Sequence, residues 1–275
     1  MDTFLPEEAL FDRALLISLD LLASFFVSGL LEIVIPFLIG FYIWRRFGAS
    51  WRLFFIGGAM FLIALMREPL NELLVSSLSG SLPLEYLWVA FYALPAFTAG
   101  IFEESARFIA FKLVIKGREV SDALMYGAGH GGIESILLVG VNTLSLAIVV
   151  YFYPDQLSAD QMFLVNSIPV WLPLVGLWER MVAFVIQLGL SVLVLQTLVK
   201  EKYLYFVAAI FLHFLVNIVS QVLLLQYGIF ASEGVTTLFA AAFTYYIYAT
   251  LKNEKAKLTA SVAGEKPEPP TESAQ

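Results

Sequence analysis

In a chain that is mostly apolar, three short polar segments carry the residue types that do chemistry. They are Phe102-Glu103-Glu104-Ser105-Ala106-Arg107, Gly129-His130-Gly131-Gly132-Ile133-Glu134 and His213-Phe214-Leu215-Val216-Asn217, and the last two hold both histidines of the protein. A carboxylate and two imidazoles are able to activate a water molecule, and an amide N–H is able to stabilise an oxyanion. On a helix, residues four apart share a face, so His130 with Glu134, and His213 with Asn217, each form a two-residue polar face.

The elements that must position these residues are membrane spans. Of 275 residues, 60% are hydrophobic and 14% charged, and the mean hydropathy of +0.83 lies far from the soluble balance. The apolar runs are long enough for a helix to cross about 30 Å of hydrocarbon. We read an all-α transmembrane bundle of about seven spans, near Leu15–Tyr42, Leu53–Leu74, Leu87–Ile115, Ala123–Phe152, Val170–Val199, Tyr203–Leu225 and Val235–Leu251. The last is short, and the partly apolar stretch Tyr153–Pro169 suits an extra surface or re-entrant helix. Counting from the basic loops at about 1.5 Å per residue puts His130 and His213 at about 15 Å depth and Glu103 at about 13 Å. Acid, imidazole and amide groups on three helices are thus expected at one level.

Charge sets the orientation. Arg45, Arg46 and Arg52, then Lys112, Lys116 and Arg118, then Lys200 and Lys202 follow spans one, three and five, whereas the alternate connections carry Asp155, Asp160 and Glu233. The positive-inside rule predicts a multi-pass cell-membrane protein with its N-terminus outside and its C-terminus cytoplasmic. The acidic start, MDTFLPEEALFDR, does not resemble a signal peptide, so the first apolar run is expected to remain as a helix. Residues 1–251 form the expected membrane domain. Residues 252–275, rich in charge, Pro, Ser and Ala, read as a disordered cytoplasmic tail. A net charge of −7 without a basic cluster argues against a nucleic-acid partner, and the lack of cysteine removes disulfides, thiolate metal sites and a cysteine nucleophile. No internal repeat stands out.

A charge held near the bilayer centre costs about 2.5 to 3.5 kcal/mol on insertion scales, so each needs a partner or a purpose. Structural purposes exist. Glu103 or Glu104 with Arg107 suits a buried ion pair, His213 with Asn217 suits interhelical hydrogen bonding, and Gly127 to Gly132 reads first as a close-packing surface. Asp20, Glu32 and the Glu179–Arg180 pair read as structural or snorkelling groups, and Arg67, Glu68 and Glu72 as interfacial. The coincidence of both histidines with paired carboxylates at one depth favours a site.

There is no His-Glu-x-x-His, Gly-x-Ser-x-Gly or Gly-x-Gly-Asp. Taken together, Glu-Glu-x-x-Arg at Glu103, Glu104 and Arg107, Gly-His-Gly-Gly-x-Glu at Gly129 to Glu134, and His-x-x-x-Asn at His213 and Asn217 resemble the YhfC-type membrane peptidases, related to the type II CAAX prenyl proteases (the CPBP superfamily) and PrsW-like proteases. The resemblance covers most of the chain. It implies Glu103 as the water-activating base with His130 as its partner, and His213 with Asn217 as the oxyanion group, with Glu104, Arg107 and Glu134 as orienting groups. Arg107 stands one residue nearer the carboxylates than the CAAX pattern has it, which leaves the choice of glutamate open. His130, Glu134 and His213 also make a His₂Glu set of the kind that holds zinc, so metal-bound and metal-free mechanisms are both open.

The leading expectation is an intramembrane endopeptidase that cleaves a membrane-embedded or lipid-anchored protein or peptide within the lipid bilayer, its site opening from the cytoplasmic half. A non-catalytic scaffold or binding subunit of the same superfamily, and a proton-coupled transporter with Glu103, Glu134 and the histidines as a relay, are the alternatives.

Overall fold

The computed structural model describes residues 17–264. Seven helical spans cross the bundle: Leu19–Phe47, Trp51–Ser79, Leu84–Val114, Val120–Phe152, Leu172–Val199, Leu204–Tyr227 and Ile229–Lys257, here spans 1 to 7. The described residues are all-helical, with no strand. A short helix, Ala159–Asn166, lies between spans 4 and 5, in the stretch whose composition suggested one. The final helix is longer than its apolar pattern, beginning at Ile229 and running past Leu251 to Gly264. Residues 265–275 of the expected tail lie outside the described residues.

Local chemistry explains where the helices stop and bend. Span 1 ends at Gly48, whose φ of 72° is the left-handed conformation that closes a helix, and Ser50 Oγ accepts from Arg52 N to start span 2. Span 2 breaks at Leu65 and Met66. Pro69 follows, and in an unbroken helix its ring would clash with the carbonyl of Leu65. Span 3 carries π-helical segments at Val89–Ala93 and Ala110–Val114, on either side of the regular helix that holds Glu103, Glu104 and Arg107. Span 4 has another at Ile136–Gly140, directly after its histidine turn. Such bulges rotate the residues beyond them about the helix axis.

Span 5 is the centre of the bundle. Its most apolar stretch is 72% buried, against 17 to 39% for the other spans. The outer helices present Phe55, Leu113, Leu204 and Leu238 on the surface, which in water would be an aggregation liability and in a bilayer faces lipid.

The glycine-rich turn of span 4 is where three helices close in. A Cβ at Gly129 would strike the backbone of Phe54 on span 2, one at Gly131 would lie 2.9 Å from Gln187 Cβ on span 5, and one at Gly132 would lie 2.8 Å from Pro36 Cβ on span 1. The same turn carries His130. Small residues thus do the packing work read from the sequence, and they bring span 5 against the histidine. On the other side of the site, Gly100 lets span 3 approach Ile210 and His213 of span 6.

Candidate active site

Glu103 is the hub. Its Oε2 lies 3.1 Å from His130 Nε2, 3.3 Å from Gln187 Nε2 and 3.9 Å from His213 Nε2, and its Oε1 lies 3.6 Å from Arg67 Nη2. Spans 2, 3, 4, 5 and 6 therefore meet at one carboxylate. His130 is fully buried, its ring edge-on to Phe61 at 5.2 Å between centroids.

Glu104, one residue along, has a different environment. Arg107 Nη1 reaches both of its oxygens, at 2.6 and 2.8 Å, and His213 Nδ1 lies 2.7 Å from Oε1. Glu104 and Arg107 are wholly inaccessible to solvent. With Nδ1–H donating to Glu104, the imidazole of His213 turns Nε2 toward Glu103. Arg107 Nη2 donates to Gln187 Oε1, so Gln187 ties the two glutamates together through its amide.

Glu134 forms the next layer. Its Oε2 accepts from Gln187 Nε2 at 2.6 Å and its Oε1 from Arg180 Nη1 at 3.4 Å, while Arg180 Nη2 also pairs with Glu179. The structure thus draws Glu103, Glu104, Arg107, His130, Glu134 and His213 into one connected network. Asn217, one turn along span 6 from His213, lines the same cavity as Glu103, His213 and Glu134.

That cavity has a volume of about 430 Å³. It extends from Glu103 and His213 to Glu179, Leu224, Ile229 and Glu233, at the helix ends opposite the basic loops. This overturns the expectation that the site opens from the basic-loop half. The physical reason is packing: on that side Ile43, Leu53, Phe111, Val120, Met125 and Leu195 belong to the main hydrophobic core and fill the bundle.

The sequence profile of the YhfC intramembrane metalloprotease family matches residues 31–240, which contain every residue of this network. The chain belongs to that family. It is 32% identical over 247 residues to the uncharacterized membrane protein YhfC of Bacillus subtilis (strain 168), covering 80% of this chain and 93% of that protein. No solved structure matches.

The family's description as metalloproteases makes the donor set of this YhfC member a direct question. Both histidines turn Nε2 toward Glu103, but Glu134 gives its oxygens to Gln187 and Arg180. Among the described residues, no group of three or more His, Asp or Glu side chains is arranged to hold a metal ion. The His130, Glu134 and His213 set does not fit zinc in this arrangement, because Glu134 is committed to Gln187 and Arg180.

Gln187, Arg67 and Arg180 belong to the site but were not assigned to it from sequence, where Arg180 reads as a structural or snorkelling group. Gln187 is an amide in an apolar span, and its signal was the spacing of seven residues from Arg180, two turns along one helical face. Arg67 was read as interfacial. The break at Leu65–Met66 instead places it in the cavity wall, 12% exposed and beside Glu103.

Proposed function

We propose that the chain is an intramembrane endopeptidase in which Glu103 is the general base, His130 holds that carboxylate, and His213 with Asn217 stabilises the oxyanion. The observation that carries this reading is that Glu103, His213 and Asn217 line one cavity, with His130 bonded to the carboxylate from behind. Glu104 is committed to Arg107 and His213 and suits an orienting role.

Glu103 takes a proton from water as the oxygen attacks the scissile carbonyl carbon. The carbonyl electron pair moves to oxygen, and the oxyanion accepts from Asn217 and from His213 Nε2–H, whose Nδ1–H remains on Glu104. Collapse breaks the C–N bond, the amine leaves with the proton held by Glu103, and the products are a carboxylic acid and an amine. Gln187 and Glu134 hold Glu103 from the span 5 side.

The test is cleavage of membrane-embedded or lipid-anchored peptides by the purified full chain in detergent. His213→Ala should lower turnover roughly 100- to 1,000-fold, as loss of an oxyanion donor does, with a smaller effect on melting. A histidine that only joins helices would show the reverse, a stability loss of about 0.6 to 2 kcal/mol with turnover retained.

The same reading places the N-terminus outside and the C-terminus in the cytoplasm, so the cavity reaches the outer face. Cysteines replacing Arg46, Arg118 and Lys202 should resist an impermeant thiol reagent in intact cells, while one replacing Asp160 should label. The native chain has no thiol to interfere. The opposite labelling pattern would invert the topology.

A further inference from the structure

Spans 3 and 6 touch where Gly100 brings its backbone against Ile210 and where Phe97 meets Phe214 edge-on, 5.9 Å between ring centroids. Toward the helix ends away from the basic loops, a groove of about 280 Å³ lies between Trp88 and Tyr92 of span 3 and Val222, Leu225 and Gln226 of span 6. Trp88, Val222 and Leu225 are exposed, so the groove opens on the apolar surface of the bundle.

Gln221 lines both this groove and the cavity that holds Glu103, His213 and Asn217. The helix explains how. At about 100° per residue, His213, Asn217, Ser220 and Leu224 share the face of span 6 that lines the cavity, Val222, Leu225 and Gln226 lie on the neighbouring face, and Gln221 falls between the two. On span 3, Trp88 and Tyr92 line the groove, and Ala99 and Glu103 further along line the cavity. Groove and cavity are therefore neighbours with one amide at their junction.

That amide is partly buried, has no hydrogen-bond partner among the described residues, and is not sealed in the packing. It sits about 9 Å from the end of its helix, where an amide without a partner is costly against hydrocarbon. The three occupants available in a membrane differ in what they offer it. A lipid chain has no polar group to give, and a helix has already spent its backbone N–H and C=O on itself. An extended peptide brings both groups unpaired, and a glutamine amide both donates and accepts.

We propose that the groove between spans 3 and 6 binds an extended, apolar segment of the peptide substrate, with Gln221 bonding its backbone where the segment passes into the cavity. The inference rests on the hydrolase reading above and adds the path and character of the substrate. Trp88, Tyr92, Val222 and Leu225 take the apolar side chains that flank the cleaved bond.

The experiment uses two fluorescein-labelled apolar peptides of equal length, one kept from helix by glycine and proline and one locked as a helix by α-aminoisobutyric acid, with the detergent-purified full chain. By anisotropy, wild type should bind the extended peptide about two- to tenfold more tightly, the worth of a hydrogen bond. Gln221→Leu should remove that difference by weakening the extended peptide alone. Leu225→Trp fills the groove from the lipid side, with no core to repack, and should raise KM for the extended peptide while kcat holds. A benzophenone replacing one apolar side chain of the extended peptide should attach on illumination to Trp88, Tyr92 or Leu225, a measurement that needs no variant to fold. Equal binding of the two peptides by wild type, or attachment confined to the Ile229 and Glu233 end of the cavity, overturns the assignment. Displacement of the extended peptide by added phospholipid makes a lipid chain the occupant and also overturns it. Cleavage indifferent to both variants sinks this inference and leaves the hydrolase standing, whereas groove-dependent binding without any cleavage does the opposite.

Discussion

Glu103→Gln should sharply lower peptide cleavage while expression and melting temperature stay near those of the wild type. Gln keeps the size of the side chain and one carbonyl oxygen for the hydrogen bonds at that position, but it cannot accept a proton from water. A general base contributes roughly 100- to 10,000-fold to rate, so the variant should lose cleavage by a factor in that range. Glu104→Gln is the control. Its carboxylate lies away from the cavity and against Arg107, so its loss should act on stability and on the orientation of His213 rather than on proton transfer. If Glu103→Gln cleaves at near-normal rates, the base assignment fails and the non-catalytic scaffold takes its place.

Arg107→Ala is expected to have the largest effect on folding. Arg107 and Glu104 are both fully buried, and Nη1 of the arginine reaches both carboxylate oxygens. Removing the guanidinium leaves a carboxylate in a low-dielectric interior without its cation, a loss of roughly 3 to 5 kcal/mol for a buried pair. Gln187 would lose its donor at Oε1 in the same step. Low yield in the membrane fraction and a clearly lowered melting temperature in detergent would follow, with activity falling in proportion. Arg107→Lys should rescue this only in part, because an ammonium cannot reproduce the fork that spans Glu104 and Gln187. An Arg107→Ala protein that melts like wild type would show that the pair does not hold the network together.

Adjacent residues in the Glu103-Glu104 pair point about 100° apart on a helix, so motif and spacing alone left two candidates for the base. The rotation of span 3 decides between their environments, and that rotation depends on the π-helical segments on both sides and on the approach allowed at Gly100. Arg67 illustrates the same limit. Counted along an unbroken helix it belongs near the interface, but the break ahead of Pro69 returns its side chain to the site.

The sequence by itself determined the seven spans, their all-helical class and the identity of the charged and imidazole groups worth examining. Hydrophobic run length and the cost of desolvating a charge are local properties, readable from residue order alone. Tertiary structure decided how those groups are joined. Gln187 bridges Glu103, Glu134 and Arg107 because the backbone at Gly131 admits span 5, and the cavity lies away from the basic loops because apolar side chains fill that half of the bundle. Which helices touch, and at what rotation, follows from shape complementarity between distant segments, a property that no single stretch of the chain encodes.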